Sequence, residues 1–345
     1  MNDTSNSVSE KHQKGGDIVD NTYVKQKGIE VIYLAGGCFW GTEQLMQKIP
    51  GVIDAVSGYA NGNEGSSPSY RTISGTGFKE TVRVSYDPLK ASLEMILFTY
   101  FRSIDPEIKN RQGNDKGTQY QSGIYWTDDA SKKVVLNVAA VERSRFPNFA
   151  VELEPLRNFF NAEDQHQDYL EKNPGGYCHI SPKKFELAGS MIIDPANYRR
   201  PSLEQIKAKL TEKQFKITQQ GETEPPFDNE YWDNHRDGVY VDIVTGEPLF
   251  SSRDKFDSGT GWPSFTRGID ENTFVFLTDT SLGMQRIEVR SRAGDSHLGH
   301  VFYGRTESTA GVRFCINSAA LRFIPYEKMW TEGLDFLKKY VITDN

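Results

Sequence analysis

Gly36-Gly37-Cys38-Phe39-Trp40-Gly41 sets one of only three cysteines of the chain between a short β-prone run and a helical one. Ahead of it, Ile29, Val31, Ile32, Tyr33 and Leu34 read as a strand; behind it, Leu45, Met46 and Ile49 fall at helical spacing until Pro50. A cysteine at a helix N-terminus meets unpaired amides and the positive end of the dipole, which favour thiolate over thiol. The glycines remove Cβ bulk, so a substrate can approach the backbone. The alternative is a buried structural cysteine, a common fate for this residue.

Working outward, the chain of 345 residues is long enough for two domains. A net charge of −7 and the lack of a basic stripe argue against a nucleic-acid partner. No apolar run approaches bilayer length. Three cysteines without a Cys-x-x-Cys pair exclude a dense disulfide framework and the usual thiolate zinc site, so no metal is expected. Residues 1–27 are polar and read as a disordered tail without a signal-peptide core. The chain as written is expected in the cytoplasm, with export after loss of a leader as the alternative.

A compositional seam, Asp194-Pro195-Ala196-Asn197-Tyr198-Arg199-Arg200-Pro201-Ser202, suggests an extended linker, with Ser202 capping a new helix. The expected units are 28–185, a linker over 186–202, and 203–345. The first mixes strands with helices such as 93–103 and 131–145. The second reads as short strands over 238–250, 273–278, 286–292 and 311–323.

In the first unit, Phe78, Glu80, Val82, Val84 and Tyr86 alternate with Lys79, Thr81, Arg83 and Ser85. Glu80 thus stands on the apolar face of a strand, where desolvation favours its protonated form and a role as general acid; a strand-end glutamate paired with lysine is the alternative. Gln112–Tyr120 is a polar Gly-rich loop, readable as a plain turn, and Tyr70 follows Ser67-Pro68-Ser69. Pro174-Gly175-Gly176-Tyr177-Cys178-His179 offers a second cysteine on a flexible turn, suited to a thiol that moves to attack Cys38.

Residues 28–185 resemble the A-type methionine sulfoxide reductases. The Gly-Cys-Phe-Trp-Gly core, Pro-Ser-Tyr, Glu-x-Val-Arg-Val-x-Tyr-Asp-Pro, Gln-Gly-Asn-Asp-x-Gly-x-Gln-Tyr and Gly-Tyr-Cys-His stand in family order. The resemblance implies an α+β two-layer sandwich with a ferredoxin-like core. It implies Cys38 as nucleophile, Phe39 and Trp40 at the S-methyl group, and Glu80, Tyr70 and Tyr120 at the sulfoxide oxygen with Asp115 assisting. Cys178 would be the resolving thiol. Phe78 stands where many members carry histidine, making the surroundings of Glu80 more apolar.

In the second unit, period two gives Arg313, Cys315 and Asn317 one face. A guanidinium beside a thiol lowers its pKa. His297 and His300 share one turn, where acid–base work fits better than zinc binding. Gly259–Phe265 is an aromatic loop, either packed or forming an apolar wall. Residues 203–330 resemble the B-type reductases through Gly-Glu-Pro-Leu-Phe-Ser-Ser, Ser-Gly-Thr-Gly-Trp-Pro-Ser-Phe, Arg-x-Glu-Val-Arg-Ser, Ser-His-Leu-Gly-His-Val-Phe and Arg-Phe-Cys-Ile-Asn-Ser. That resemblance implies a mostly β domain of two antiparallel sheets with Cys315 as nucleophile. His300, with His297, and Asn317 would handle the oxygen and its proton, Trp262 the S-methyl group, and Arg313 the thiolate. Thr260 stands where many members place the resolving cysteine, and Asp242 and Thr245 lie near the expected first zinc-binding pair.

The combined expectation is a bifunctional reductase acting on methionine sulfoxide, free or in proteins. The S epimer falls to the first unit and the R epimer to the second, with regeneration by a thioredoxin-type protein and no organic cofactor. A monomer is expected. Two alternatives stay open: a thiol redox sensor using Cys38 and Cys178, or an active first unit with a second that only docks substrates.

Overall fold

The apolar run before Cys38 becomes a central strand of a seven-stranded sheet. The structure, a computed structural model, describes residues 19–20, 22–63, 65, 67–304, 308 and 310–342. The first half holds β1 (Val19–Asp20), β2 (Glu30–Ala35), α1 (Phe39–Gln47), β3 (Val52–Ala60), β4 (Lys79–Tyr86), α2 (Leu93–Ser103), β5 (Arg111–Gln112), β6 (Asp115–Lys116), β7 (Gly123–Trp126), α3 (Asp129–Arg145), β8 (Glu152–Pro155), β9 (Asn158–Asn161), α4 (Tyr169–Lys172) and α5 (Pro182–Gly189). Its large sheet runs β1-β9-β3-β4-β2-β7-β8, antiparallel except for the outer pairs β1·β9 and β7·β8. This half is mixed α+β.

The helices bury one face of this sheet, where Phe78, Val82 and Val84 of the Glu80 strand region meet Phe39, Leu45 and Ile96. The opposite face is covered as well, which the alternation in β4 did not indicate. Thr81, Arg83 and Ser85 are buried, and Arg83 lies over the rings of Tyr23 and Phe159 while pairing with Asp20 at 3.0 Å. Asp20 is therefore part of the fold although it falls in the stretch expected to be a disordered tail; residues 1–18 lie outside the described residues. Helix α2 starts where Ser92 accepts a hydrogen bond from Met95 N. All of its residues but Arg102 are buried, the polar Glu94, Thr99 and Ser103 among them.

After α6 (Leu203–Lys209) and α7 (Glu212–Gln220), both opened by capping boxes, the second half is mostly antiparallel β. Strands β10 (Gly238–Asp242), β11 (Pro248–Ser251) and β18 (Leu321–Pro325) form one sheet in the order β11-β10-β18. Strands β12 (Lys255–Phe256), β13 (Ser264–Phe265), β14 (Phe274–Asp279), β15 (Arg286–Ser291), β16 (His297–Tyr303) and β17 (Val312–Ile316) form the other, ordered β12-β13-β17-β16-β15-β14. The expected runs 238–250 and 311–323 are thus each two strands belonging to a turn or a sheet change. Asp242 is fully buried and accepts hydrogen bonds from Thr245 Oγ1 at 2.9 Å, Ser291 Oγ at 3.1 Å and Ser296 Oγ at 2.8 Å, bracing three segments of this half.

The seam is packed rather than extended. Ile193 is buried with Val239, Val241 and Ile324. Its amide and that of Ile192 donate to Asp270 Oδ2 at 3.0 and 2.8 Å. Asp194 accepts from Ser92 Oγ at 2.5 Å and caps a short turn at Ala196 N. Buried hydrogen-bond partners on both sides make the seam an interface strip instead of a free tether.

Candidate active sites

Cys38 is the N-cap residue of α1, and its side chain caps nothing. Gly37 before it adopts φ +83°, and a Cβ there would meet Gln112 Cβ at 2.5 Å, so only glycine lets the chain turn into the helix at this point. The first free amide of α1, Phe39 N, donates to Glu80 Oε2 at 3.1 Å. The carboxyl of β4 is thereby held at the helix N-terminus beside Cys38.

The electrostatics differ from the thiolate expectation. Burial pushes the Cys38 thiol well above its ordinary range, and Glu80 and Asp115 push the same way; the hydrogen bond from the Trp40 amide opposes them and is outweighed. Glu80 is 2% exposed, and burial raises its pKa to about 8 against the lowering effect of Phe39 N. Near neutral pH both groups therefore hold their protons. The desolvation that the apolar strand face implied for Glu80 is present.

Phe39 is buried beneath a layer of rings that opens to the surface. Tyr70 stacks on Trp40 and Phe39 at centroid distances of 6.2 and 6.3 Å, and Tyr169 stacks on Trp40 at 3.8 Å. His166 lies 4.3 Å from the Tyr70 ring and its Nδ1 accepts from Trp40 Nε1 at 3.3 Å. Tyr59 donates to Glu163 Oε2 at 2.7 Å, while Tyr70 N donates to Glu163 Oε1 at 3.0 Å. The expected loop at 112–120 is a β5·β6 hairpin followed by a single helical turn ending at Tyr120. Burial and the nearby charges of Glu80, Tyr70, Asp115 and Cys38 raise the Tyr120 hydroxyl, which keeps it a proton donor. Asp115 Oδ2 is buried and has no hydrogen-bond partner among the described residues. The five aromatic and acidic residues expected near Cys38 and Glu80 do converge there.

Cys178 is half-buried rather than carried on an open turn. A Cβ on Gly41 would meet its Sγ at 2.9 Å, so the thiol rests on the first turn of α1, within electrostatic reach of Cys38. Ile180 N donates to its Sγ at 3.3 Å. Cys38 and Cys178 are not bonded to each other.

The second site is a cavity of about 140 Å³ lined by Thr223, Trp262, Arg286, His300, Cys315 and Asn317, among others. Cys315 of β17 lies opposite His300 of β16 and opposite Ser264 of β13. The two histidines stand on a strand, not a turn. Three residues apart in a regular strand they would face opposite ways, but β15·β16 carries a bulge. His300 pairs with Glu288 and His297 with Arg290, which puts both imidazoles on one face, 5.6 Å apart. Gly299 makes this possible: at φ +149°, a Cβ would meet Cys315 O at 2.1 Å.

Each histidine has an acidic partner. His300 Nε2 lies 2.7 Å from Asp279 Oδ2, and His297 Nδ1 lies 2.6 Å from Glu288 Oε1. Burial lowers the His300 pKa, against the pull of Asp279. Asn317 accepts from Glu224 N at 3.1 Å and donates to Leu298 O at 3.2 Å, so its amide is fixed at the cavity wall. Trp262 is anchored by its Nε1 donating to Glu224 O at 2.9 Å. Arg313 lies over the Phe302 ring at 4.6 Å, two residue pairs farther along the ladder than Cys315. Thr260 shares a hydrogen bond with Ser258 Oγ at 2.7 Å, which reaches Ser264 at 2.8 Å.

Sequence reading missed His166, Tyr169, Glu163 and Tyr59 in the first site, and Arg286, Asp279 and Glu288 in the second. Arg286 and Glu288 stood inside a quoted motif, and the dense His–Tyr–acid run at 163–169 was the available signal for Glu163, His166 and Tyr169; Tyr59 and Asp279 carried none.

Residues 30–190 match the family model described as peptide methionine sulfoxide reductase, and residues 210–325 match the SelR domain model. Among solved structures, Mxr1 from Saccharomyces cerevisiae in reduced form is 37% identical, over 48% of this chain and 98% of that one, with a TM-score of 0.45. Methionine sulfoxide reductase A of Corynebacterium diphtheriae is 35% identical, over 44% and 79%, with a TM-score of 0.39. Mxr1 in complex with Trx2 is 28% identical, over 44% and 94%, with a TM-score of 0.32.

Proposed function

The chain belongs to the peptide methionine sulfoxide reductases, carrying a SelR segment behind the first reductase segment, and from that premise we propose how its two centres divide the chemistry. The chain reduces both epimers of methionine sulfoxide. The S epimer goes to the Cys38 centre and the R epimer to the Cys315 centre, one fold serving each configuration at sulfur. In our reading, residues 28–185 are a two-layer sandwich with a ferredoxin-like core, 186–202 join the halves, and 203–345 are the second unit.

At the first centre the sulfoxide methyl group rests on Trp40 and Phe39, and its oxygen meets Glu80, Tyr70 and Tyr120. Glu80 gives its proton to that oxygen as the Cys38 sulfur attacks the sulfoxide sulfur; the Cys38 proton passes to the Glu80 carboxylate. Methionine leaves and Cys38 holds the oxygen as a sulfenic acid. Cys178 then attacks Cys38 Sγ, releasing water and forming a disulfide. A thioredoxin-type dithiol reopens it by exchange, ending oxidised itself. At the second centre Cys315 attacks while His300, aided by His297, delivers the proton and Asn317 orients the oxygen. Trp262 holds the methyl group and Arg313 favours the thiolate. With Thr260 in place of a resolving cysteine, an external thiol attacks Cys315 Sγ, releasing the sulfenic oxygen as water and forming a mixed disulfide; a second external thiol reopens it, leaving Cys315 as a thiol and the two reductant sulfurs joined as a disulfide.

The observation that carries this reading is the pairing of each thiol with a group that can exchange protons: Glu80 is held at Phe39 N beside Cys38, and His300 faces Cys315 across β16·β17. Single-epimer substrates test it. Cys38→Ser should abolish reduction of the S epimer alone, and Cys315→Ser that of the R epimer alone. A Cys315→Ser chain that reduces both epimers as before would reassign the second half to substrate docking, and retention of both activities in both variants would favour a redox switch.

A further inference from the structure

Two arginines of the first half end inside the second. Arg102 of α2 donates to Asn272 Oδ1 at 3.3 Å, to Phe274 O at 2.8 Å and to Asn272 O. Arg145 of α3 donates to Ser291 O at 3.0 Å and to Arg292 O, and its Nε donates to Asp295 Oδ1 at 2.8 Å. Phe274 and Ser291 are paired residues at one end of the β14·β15 ladder. That ladder carries Asp279, the partner of His300, and Glu288, the partner of His297. Both arginines thus grip the root of the hairpin that supplies the acids of the second thiol centre.

From Arg145 the ionic contacts continue inward. Asp295 Oδ1 also accepts from Arg290 Nε at 2.8 Å, Arg290 Nη1 donates to Glu288 Oε1 at 2.9 Å, and that same Glu288 oxygen lies 2.6 Å from His297 Nδ1. Arg145 and Asp295 are buried, and Arg290 and Glu288 are largely so. Charged groups so far from water depend on one another's geometry for compensation. Ser144 adds to the grip by donating to Asp295 Oδ2 at 2.8 Å.

We propose that Arg145, a residue of the first half, is a positioning residue for the second half's thiol centre: through Asp295, Arg290 and Glu288 it sets the orientation of the His297 imidazole beside His300 and Cys315. Arg145 touches no substrate. With it present, Asp295 Oδ1 is shared between Arg145 and Arg290, while Arg200 lies 3.7 Å from the other carboxylate oxygen, which leaves Arg290 extended toward Glu288. Without it, Arg290 turns to Asp295 alone, and Glu288 and His297 lose their fixed angle. The R-epimer centre is then complete only when the first half is docked.

The inference rests on the R-epimer reading of the second site, so its test includes a measurement independent of turnover. Replacing Arg145 alone would strand the buried Glu142, which it pairs with at 2.6 Å. The full chain is therefore prepared as Arg145→Met/Glu142→Met, which removes both charges at similar volume, alongside Arg145→Lys. The expected result for the double variant is a folded chain with S-epimer kinetics intact. Its R-epimer kcat falls about tenfold at unchanged KM, as when an outer partner of an active-site imidazole is lost. The ring-nitrogen NMR signals of His297, assigned with His297→Gln, shift in the substrate-free protein, and Arg145→Lys restores both readouts in part. An unshifted His297 signal overturns the coupling whatever the activity. Parallel loss of both epimers' reduction with a lower melting temperature reduces Arg145 to a structural contact and overturns it too. A shifted signal in a chain that never reduces the R epimer supports the coupling while refuting the assignment of the site.

Discussion

Two protons decide how the first centre works. A thiol at a helix N-terminus is usually read as a ready thiolate, yet burial beside Glu80 holds Cys38 protonated. The carboxyl, lifted from its ordinary 4.5 to about 8, is the group that loses its proton first on the alkaline side. As pH rises through about 8, Glu80 becomes an anion that can no longer protonate the sulfoxide, and its charge pushes Cys38 further up. S-epimer reduction should therefore fall above pH 8 in a steady-state pH–rate profile. Glu80→Gln should lower kcat by about 10²- to 10⁴-fold and remove that limb. A Gln variant keeping the same limb would move the titration to another group. Cys178, resting on Gly41, has a separable task. Cys178→Ser should still release about one methionine per chain in a rapid-quench burst, then stop with Cys38 as sulfenic acid. Continued turnover with thioredoxin as sole reductant would show that Cys178 is not the resolver.

At the scale of elements, the β15·β16 bulge does what neither residue type nor spacing announces. Gly299 is the position on which it depends, since any Cβ would drive into Cys315 O. Gly299→Ala should flatten the bulge or displace β17, costing about 1–3 kcal/mol and most R-epimer activity while S-epimer reduction persists. Wild-type R-epimer kinetics in that variant would show that the bulge is not needed to bring the histidines together. This element also marks where sequence reading stopped. Helix 93–103 was legible because Leu93, Met95, Ile96, Leu97, Phe98, Tyr100 and Phe101 crowd into eleven residues behind Ser92, and Glu80 was legible because a carboxylate interrupted an apolar alternation. The shared face of His297 and His300 was not, because period two places residues three apart on opposite faces and only the partner strand reveals the extra residue. His166 and Tyr169 were missed because a polar, charged run reads as surface until its rings are seen stacked on Trp40. The seam was misread for a related reason. Prolines and arginines describe a linker equally well whether their partners are solvent or the buried side chains of another segment.

For the molecule as a whole, the consequence is that the halves share buried charges instead of meeting through a loose tether. Arg292 is the clearest case: it is fully buried in the second half, lies 5.9 Å from the Phe98 ring of α2, donates to Ile193 O of the seam at 2.9 Å, and is neutralised by Glu247 at 2.6 Å. Glu247 is itself held by Ala293 N at 3.1 Å. Removing one member of such a pair leaves an uncompensated charge where water does not reach, a cost of about 3–5 kcal/mol. Because Arg292 faces the second half, the seam and α2 at once, that cost falls on their common interface. Glu247→Ala should therefore lower the urea midpoint of the full chain by an amount equivalent to about 3–5 kcal/mol. It should also separate a single unfolding transition into two, read from tryptophan fluorescence and from the loss of each epimer's reduction. The joint replacement Glu247→Met/Arg292→Met, which removes both charges at once, should recover most of the stability. Two transitions already present in the wild-type chain would show that the halves unfold independently despite these contacts. A Glu247→Ala midpoint equal to wild type would show that Arg292 finds water or another acid, and that its position between the halves is not what couples them.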